Sequence, residues 1–328
     1  MAAKNLDIRQ IIRKYGIVIV LVLLIILLSI VQPAFLSSTN IFNVLTQSSI
    51  FGIMGLGMTF IIISKGIDLS VGSILAFSGV VMASFAQVPG ATEKYFPNMP
   101  LLPVIVPIAV ALAIGAGCGF VNGFFVAKTN IHPFIATLGM QTIARGFALI
   151  YANGRPVSNL SPSLTALGGK VFNVIPVPVI IYGVLIALGT ILLNKTRFGK
   201  NTFAIGGNQV AAEVSGINVP KYIMLIYTLG GLLAGIAAIV FAGRVGSVHP
   251  GAAEGYELTA IASTTIGGTS QTGGIGTIWG AFVGALVLAV MRNGFTLLGV
   301  NAYWQKVAEG AIIIGAVVVD MRKNAKRD

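Results

Sequence analysis

Charged residues are scarce in this sequence, and their scarcity excludes a water-soluble globular protein. Of the 328 residues, 9% are charged and 55% are hydrophobic, and the mean hydropathy is +0.91. A soluble domain carries roughly 25% charged residues because its surface must face water. The apolar residues form long continuous runs, not the short alternating segments of a β-barrel. The sequence therefore predicts an all-α polytopic membrane protein.

Cysteine and histidine are nearly absent, and the common catalytic motifs are missing. Cys118 is the single cysteine, so no intramolecular disulfide can form. His132 and His249 each precede a proline at a predicted span boundary, where a structural role is commoner than metal binding. There is no GxxxxGK[ST], HExxH or GxSxG motif, and "GGKV" at 168–171 lacks the hydroxyl residue of a phosphate loop. We expect no enzyme, metal site or cofactor here, and any ATP and Mg²⁺ would be bound by a separate subunit.

Basic residues predict the orientation of the chain in the membrane. A spanning helix needs about 20 apolar residues, and ten segments qualify, the first of them an uncleaved helix with no signal-peptidase pattern after it. Of the 21 Lys and Arg residues, 14 fall on the side of the two termini and 5 on the other side. The excess predicts cytoplasmic tails at 1–16 and 321–328, and it explains the net charge of +12 without a nucleic-acid partner. The predicted spans are 17–36, 48–64, 69–88, 101–126, 131–152, 174–193, 222–243, 258–276, 277–291 and 303–320.

One predicted span is too polar to face lipid. Residues 258–276, "LTAIASTTIGGTSQTGGIG", are rich in Ser, Thr and Gly. Irregular backbone at membrane depth is tolerated where protein or a cavity surrounds it, so we expect a broken or re-entrant helix here. Glycines also recur every four residues at 115–123 and at 276–284, which indicates close helix packing or a pathway wall. Their presence in both halves suggests an internal duplication.

Two charges stand three residues apart in "SKGIDLSVGS", between the second and third spans. One interpretation is an interfacial bend, where Asp68 and Ser70 cap the next helix and Lys65 follows the positive-inside rule. The other places the bend in the pore and gate region. Arg145, inside a span, is either a functional group or a side chain that reaches the interface.

The longest cytoplasmic connection, 194–222, contains a predicted short helix. Asn208 is a suitable N-cap and Gly216 a suitable terminator. From these residues alone, this segment is equally consistent with a simple connection and with a docking element.

Several motifs in order resemble the sugar permeases of bacterial ABC importers, of the ribose, galactose and xylose type. They are "LGMTFIIISKGIDLSVGSILAFSG", "HPFIATLGM", "NKTRFGKNTFAIGGNQVAAEVSGINV", "GRVGS" and "GVNAYWQKVAEGAIII". The resemblance implies a single permease domain, 1–328, in the bacterial inner membrane, paired with a second permease subunit to form the pathway. It also implies two cytoplasmic ATP-binding subunits and an extracytoplasmic sugar-binding protein. Residues 196–218 would then be the ATPase-coupling loop, with Gly206, Gly207, Asn208, Ala211, Ala212, Glu213, Ser215 and Gly216 as its key residues.

A pathway for neutral sugars needs polar contacts without strong charge. On that basis, and from the matched "GIDLS" motif, the predicted path residues are Asp68, Ser70, Asn122, Thr137, Gln141, Thr264, Thr265, Gly267 and Gly268. A single Ser or Thr in a helix can instead bond to its own backbone. The outer loops would meet the binding protein through Arg155, Arg244, Glu254 and Glu257.

Three other functions remain open from the sequence. A permease of the branched-chain amino-acid type would share the architecture but would need groups for a zwitterion. A stand-alone sugar facilitator would work without ATP. A membrane enzyme would need a catalytic cluster that the motifs do not offer.

Overall fold

The protein is described here by a computed structural model that covers residues 8–91, 93–129 and 131–324. Its secondary structure is almost entirely helical, which confirms the predicted fold class. Short 3-10 turns occupy 33–36 and 166–168, and β1 (Lys170–Val171) pairs antiparallel with β2 (Ile175–Pro176) in a loop. The helices are α1 (Ile8–Val31), α2 (Ser38–Ile63), α3 (Val71–Phe85), α4 (Ile105–Lys128), α5 (Pro133–Ala152), α6 (Pro162–Thr165), α7 (Val177–Lys195), α8 (Arg197–Gly207), α9 (Gln209–Val214), α10 (Val219–Val245), α11 (Tyr256–Ile266), α12 (Ile278–Leu297) and α13 (Ala302–Asn324).

Each of the ten predicted spans overlaps one of these helices, although several boundaries differ; α1, for example, ends at Val31 rather than at residue 36. Seven helices in the described chain are long and apolar enough to cross a membrane. The predicted span 48–64 was too short, because α2 has 26 residues and begins at Ser38, where the Ser37 side chain accepts a hydrogen bond from the Asn40 amide. The first half of α2 contains polar residues, several of which are buried by protein rather than by lipid. A search for apolar runs therefore missed this half of the helix. The predicted span 277–291 was also too short, and α12 continues past Arg292 to Leu297.

Two helices are too short to span, and each follows a non-helical connection that runs into the protein. α3 has 15 residues and α11 has 11. Phe51, halfway along α2, makes a ring contact with Tyr256 at the start of α11, at 6.3 Å between centroids. Glu257 in turn lies against Gly72 in the first turn of α3. Both helices therefore begin near the middle of α2, and the connections 64–70 and 246–255 are re-entrant.

The same order of elements occurs twice. A long helix, a re-entrant connection, a half-helix and two further helices make up α2–α5, and the same series makes up α10–α13. In the predicted order of spans α2 is the second and α10 the seventh, so the two copies would run in opposite directions. This arrangement supports the duplication suggested by the glycines, in the inverted form common in transporters.

The glycine repeats are packing surfaces. A Cβ on Gly115 or Gly119 would overlap backbone atoms of α10, and one on Gly280 or Gly284 would overlap backbone atoms of α11 and the turn after it. The centre of the fold is α2, in which 94% of the most apolar stretch is buried, whereas none of the corresponding stretch of α13 is. The exposed apolar faces of the outer helices are suited to lipid.

Candidate functional site

The connection 64–70 holds a buried polar network. Asp68 is fully buried, and its Oδ1 accepts hydrogen bonds from the Ser70 amide at 2.8 Å and the Ser70 hydroxyl at 2.5 Å. Asn122 of α4 donates to the Ser70 hydroxyl at 2.8 Å. The second oxygen of Asp68 has no hydrogen-bond partner among the described residues.

This geometry corrects the expectation of an interfacial bend. Lys65 does lie at an exposed turn, with a φ of 62° and its amide bonded to Ile62. Asp68, by contrast, lies inside the protein, because the chain turns inward after Lys65 and α4, α5 and α10 cover it. The Ser70 side chain makes no capping bond to α3; its hydroxyl oxygen accepts from Asn122 while its proton is donated to Asp68.

Thr137 and Tyr227 hold the same connection from two other helices. The Tyr227 hydroxyl donates to the Ile67 carbonyl at 3.2 Å, and the Thr137 hydroxyl lies 3.4 Å from that oxygen while bonding to its own helix at 2.9 Å. The structure therefore brings Asp68, Ser70, Asn122 and Thr137 together, as a closed network rather than along an open channel.

Gln141 and Arg145, one turn apart on α5, fix the second re-entrant connection. Gln141 donates to Glu257 at 3.1 Å. Arg145 donates to the carbonyls of Pro250 and Ala252 at 2.7 and 2.8 Å. Arg145 thus has backbone partners within the protein, a role that differs from both interpretations left open by the sequence.

The polar segment 258–276 is broken as predicted, with α11 ending at Ile266 and irregular chain following to Thr277. Thr264 is buried and bonds back to the carbonyls of Ala260 and Ile261. Thr265, also buried, accepts from the Gln271 amide group at 2.6 Å. The hydroxyls of Thr264 and Thr265 therefore have partners within the protein, whereas the buried Thr269 hydroxyl has none among the described residues.

Two glycines of the same segment have different roles. A Cβ at Gly267 would overlap the backbone of Gly280 in α12, so Gly267 is a packing residue. Gly268 has a φ of 91° and open space around it, so the left-handed turn there is the reason for glycine.

The predicted short helix in the cytoplasmic connection is confirmed as α9. Asn208 caps it by accepting from the Ala211 amide at 3.0 Å, and Gly216 ends it with a φ of 83°. Glu213 is exposed and accepts from the Gln209 side chain at 3.2 Å. The Ser215 hydroxyl donates to the Ala211 carbonyl, and Ala212 is buried.

The preceding helix, α8, packs against the membrane core at several points, through the ring of Phe198 against Phe60 and Tyr222 and through Gly206. Gly206 is buried against the Ile63 carbonyl at the end of α2, and that carbonyl also accepts from the Gly274 amide at 2.8 Å. Gly207 faces open space. In the irregular segment 267–277, the backbone amide of Gln271 donates to the Asp320 carboxylate of α13 at 3.0 Å. The irregular segment 267–277 thus connects α2, α8 and α13.

On the opposite side of the protein, three of the four predicted contact residues are exposed. Arg155 pairs with Glu93 at 3.1 Å beside a pocket of about 600 Å³, and Arg244 and Glu254 lie at the surface. Glu257 is 5% exposed, so its expected surface position was wrong: it belongs to the α5–α11 contact described above.

Sequence reasoning missed one ion pair altogether. Arg292 of α12 and Glu309 of α13 lie 2.6 Å apart, and their side chains are 16% and 14% exposed. Arg292 also donates to Thr259 of α11 at 2.7 Å. The sequence placed Arg292 in a loop because the predicted span ended one residue before it. Opposite charges in two helices joined by the four-residue connection 298–301 were the available signal.

Known proteins resemble this chain over nearly its whole length. Residues 40–317 match a family described as "Branched-chain amino acid transport system / permease component". The chain is 41% identical over 310 residues to the ribose import permease protein RbsC of Escherichia coli K12, covering 93% of this chain and 92% of that protein. It is 39% identical over 322 residues to the galactose/methyl galactoside import permease protein MglC of Salmonella typhimurium LT2, covering 96% of each. It is 40% identical over 324 residues to RbsC of Bacillus subtilis 168, covering 98% of this chain and 97% of that protein. No solved structure matches the chain.

Proposed function

This chain belongs to the permease-component family of branched-chain amino acid transport systems, and we propose that it is the membrane-spanning subunit of an ATP-driven sugar importer. The observation that carries the proposal is the near-complete match to the ribose and galactose import permeases. As a multi-pass membrane protein of this family, the chain is a transport component. Ribose, galactose or a similar monosaccharide is the proposed substrate.

The coupling loop 196–218 supports a cytoplasmic ATPase partner. α9 presents Val210 and Val214 to the surface, 70% and 85% exposed, and an ATPase subunit would cover them. α8 packs against the end of α2 through Gly206. Movement of the loop by ATPase closure would therefore reach the membrane core directly. ATP and Mg²⁺ would be held by that partner, with no cofactor in this chain.

The remaining assembly follows from the charge pattern and the exposed surfaces. Both termini face the cytoplasm of a bacterial inner-membrane protein, by the positive-inside bias. The binding protein docks on the outer surface near Arg155, Arg244 and Glu254. A second permease copy pairs with this single domain, and sugar passes between them by alternating access.

In this proposal the buried path residues act as a gate rather than as contacts in an open channel. The networks of Asp68, Ser70, Asn122 and Thr137, and of Gln141 with Glu257, hold the two re-entrant connections closed, and sugar passes when these connections separate. Thr264, Thr265, Gly267 and Gly268 shape the broken segment that moves with them.

Reconstituted uptake tests the function. Vesicles containing this chain, its ATPase, the binding protein and ATP should accumulate radiolabelled ribose or galactose, and vesicles without ATP or without the ATPase should not. Accumulation of leucine instead would favour the amino-acid alternative that the family description suggests. Downhill sugar flux by the chain alone would favour a facilitator.

A further inference from the structure

A pocket with both polar and apolar lining lies between α2, α11, α12 and α13, and it is separate from the network around Asp68. Its volume is about 470 Å³, and its lining includes Gln47, Tyr256, Arg292, Gln305, Lys306 and Glu309. Small-molecule sites commonly have volumes of about 300–1,000 Å³ with a few placed polar groups. We propose that this pocket is a low-affinity binding site for the transported monosaccharide. The inference rests on the proposed function and deepens it by naming the residues that contact the sugar.

The ion pair forms a rigid polar wall of the pocket. The Arg292 Nη2 atom donates to both oxygens of Glu309, at 2.6 and 2.7 Å. The guanidinium lies 5.5 Å from the ring centre of Phe51 and 5.7 Å from that of Tyr256. An arginine has five N–H donors, and no hydrogen bond from its Nε or Nη1 is found in the described chain. These donors are available to ligand hydroxyls.

Gln47 and Gln305 complete the set of donors and acceptors. The Gln305 amide donates to the Val300 carbonyl at 3.0 Å, which leaves its oxygen available. Gln47 is half-buried in the lining, and its side chain makes no hydrogen bond with any described residue. A sugar hydroxyl both donates and accepts, so this mixture of groups suits several hydroxyls at once.

The charges of the lining favour a neutral ligand. Arg292 and Lys306 contribute two positive charges, and Glu254 and Glu309 contribute two negative charges. An anionic lipid headgroup would meet both carboxylates as well as both cations. A neutral polyhydroxyl compound meets no net repulsion, which is why we infer a sugar.

Gln47→Leu is the sharpest test, because this change removes no hydrogen bond within the described protein. The matched control is Asn43→Leu, one turn earlier on α2, where the side chain is exposed and outside the lining. The full-length chain in nanodiscs would be titrated with D-ribose and D-galactose at millimolar concentration, and binding followed by saturation-transfer NMR. Loss of one ligand hydrogen bond worth about 1 kcal/mol should weaken binding about fivefold in Gln47→Leu. Asn43→Leu should bind like the unaltered chain.

The outcomes separate this inference from the proposed function. Equal sugar binding by the two variants, or no binding by the unaltered chain, would overturn the pocket assignment even if ATP-driven uptake is normal. Phosphatidylglycerol retained in native mass spectra and not displaced by either sugar would also overturn it, in favour of a lipid site. Absence of ATP-driven sugar uptake with sugar binding intact would instead reject the importer proposal.

Discussion

Gly206 is a point where the backbone of the coupling segment meets the backbone of the membrane core, and replacing it with alanine should disrupt that contact. A Cβ at this position would overlap the Ile63 carbonyl oxygen and lie 2.7 Å from the Gly274 amide nitrogen. Both neighbours are backbone atoms, so neither can turn aside as a side chain could. The adjacent Gly207 supplies a matched control, because a Cβ there meets nothing within 4 Å.

The structure gives the size of the effect. Forcing an extra methyl group into a packed site costs about 1–3 kcal/mol. The hydrogen bond from Gly274 to Ile63, 2.8 Å long, would be displaced at a further cost of about 0.5–1.5 kcal/mol. Gly206→Ala should therefore destabilise the protein by about 2–4 kcal/mol. Gly207→Ala should be neutral or stabilise it by up to about 1 kcal/mol, since alanine is the better helix former.

Thermal unfolding of the purified chain measures the loss of stability. The ratio of sugar uptake to ATP hydrolysis in vesicles measures the loss of coupling. Gly206→Ala should unfold at lower temperature and, where it remains folded, transport less sugar per ATP hydrolysed. Gly207→Ala should match the unaltered chain in both. If the two variants behaved alike, the contact between α8 and α2 would not be the coupling joint.

Three further substitutions test the networks around it. Asp68→Asn should preserve assembly and uptake, because the amide takes the place of a buried carboxyl that has one unpartnered oxygen. Asp68→Ala should lower the free energy of unfolding by about 1–3 kcal/mol, because the Ser70 donors lose their acceptor. Uptake lost in Asp68→Asn with assembly intact would show that the charge works in a gate. Arg145→Met should destabilise the chain by about 2–4 kcal/mol by freeing two backbone carbonyls, with faster proteolysis at 246–255, and unchanged proteolysis would contradict that reasoning. Glu213→Arg should leave membrane insertion intact but uncouple ATP hydrolysis from uptake, and normal ATP-driven uptake would argue against the coupling assignment.

Helices and their ends were predictable where the signal is local. The predicted spans located ten helices, seven of them long and apolar enough to cross a membrane. The cap of Asn208 and the terminating turn of Gly216 were recognised from residue type alone. The glycine repeats predicted close packing because a missing side chain matters most where two backbones meet.

Features that depend on distant residues were not predictable in this way. The inward path of 64–70 is set by contacts with residues of α4, α5 and α10 that lie 52, 70 and 160 residues further along the chain. The sequence near Asp68 therefore favoured an interfacial position. Glu257 was placed at the surface because its loop is polar, and its partner Gln141 is 116 residues away. The ion pair of Arg292 and Glu309 was missed because the predicted span ended at residue 291, which placed Arg292 in a loop.

The two sites proposed here are connected through a single helix. Asp320 of α13 accepts a hydrogen bond from the segment 267–277, which also contacts α8, and Glu309 of the same helix lines the proposed sugar pocket. Eleven residues separate them, about 16 Å along a helix that rises roughly 1.5 Å per residue. A helix moves over that distance as a rigid rod, so a shift of the coupling segment that pulls on Asp320 must also displace Glu309. Because Glu309 is ion-paired to Arg292, the displacement would either carry α12 along or open the pair. In the proposed importer, either change would alter the shape of the pocket when the coupling segment moves, and ATP hydrolysis would thereby lower the affinity for sugar at the moment of release.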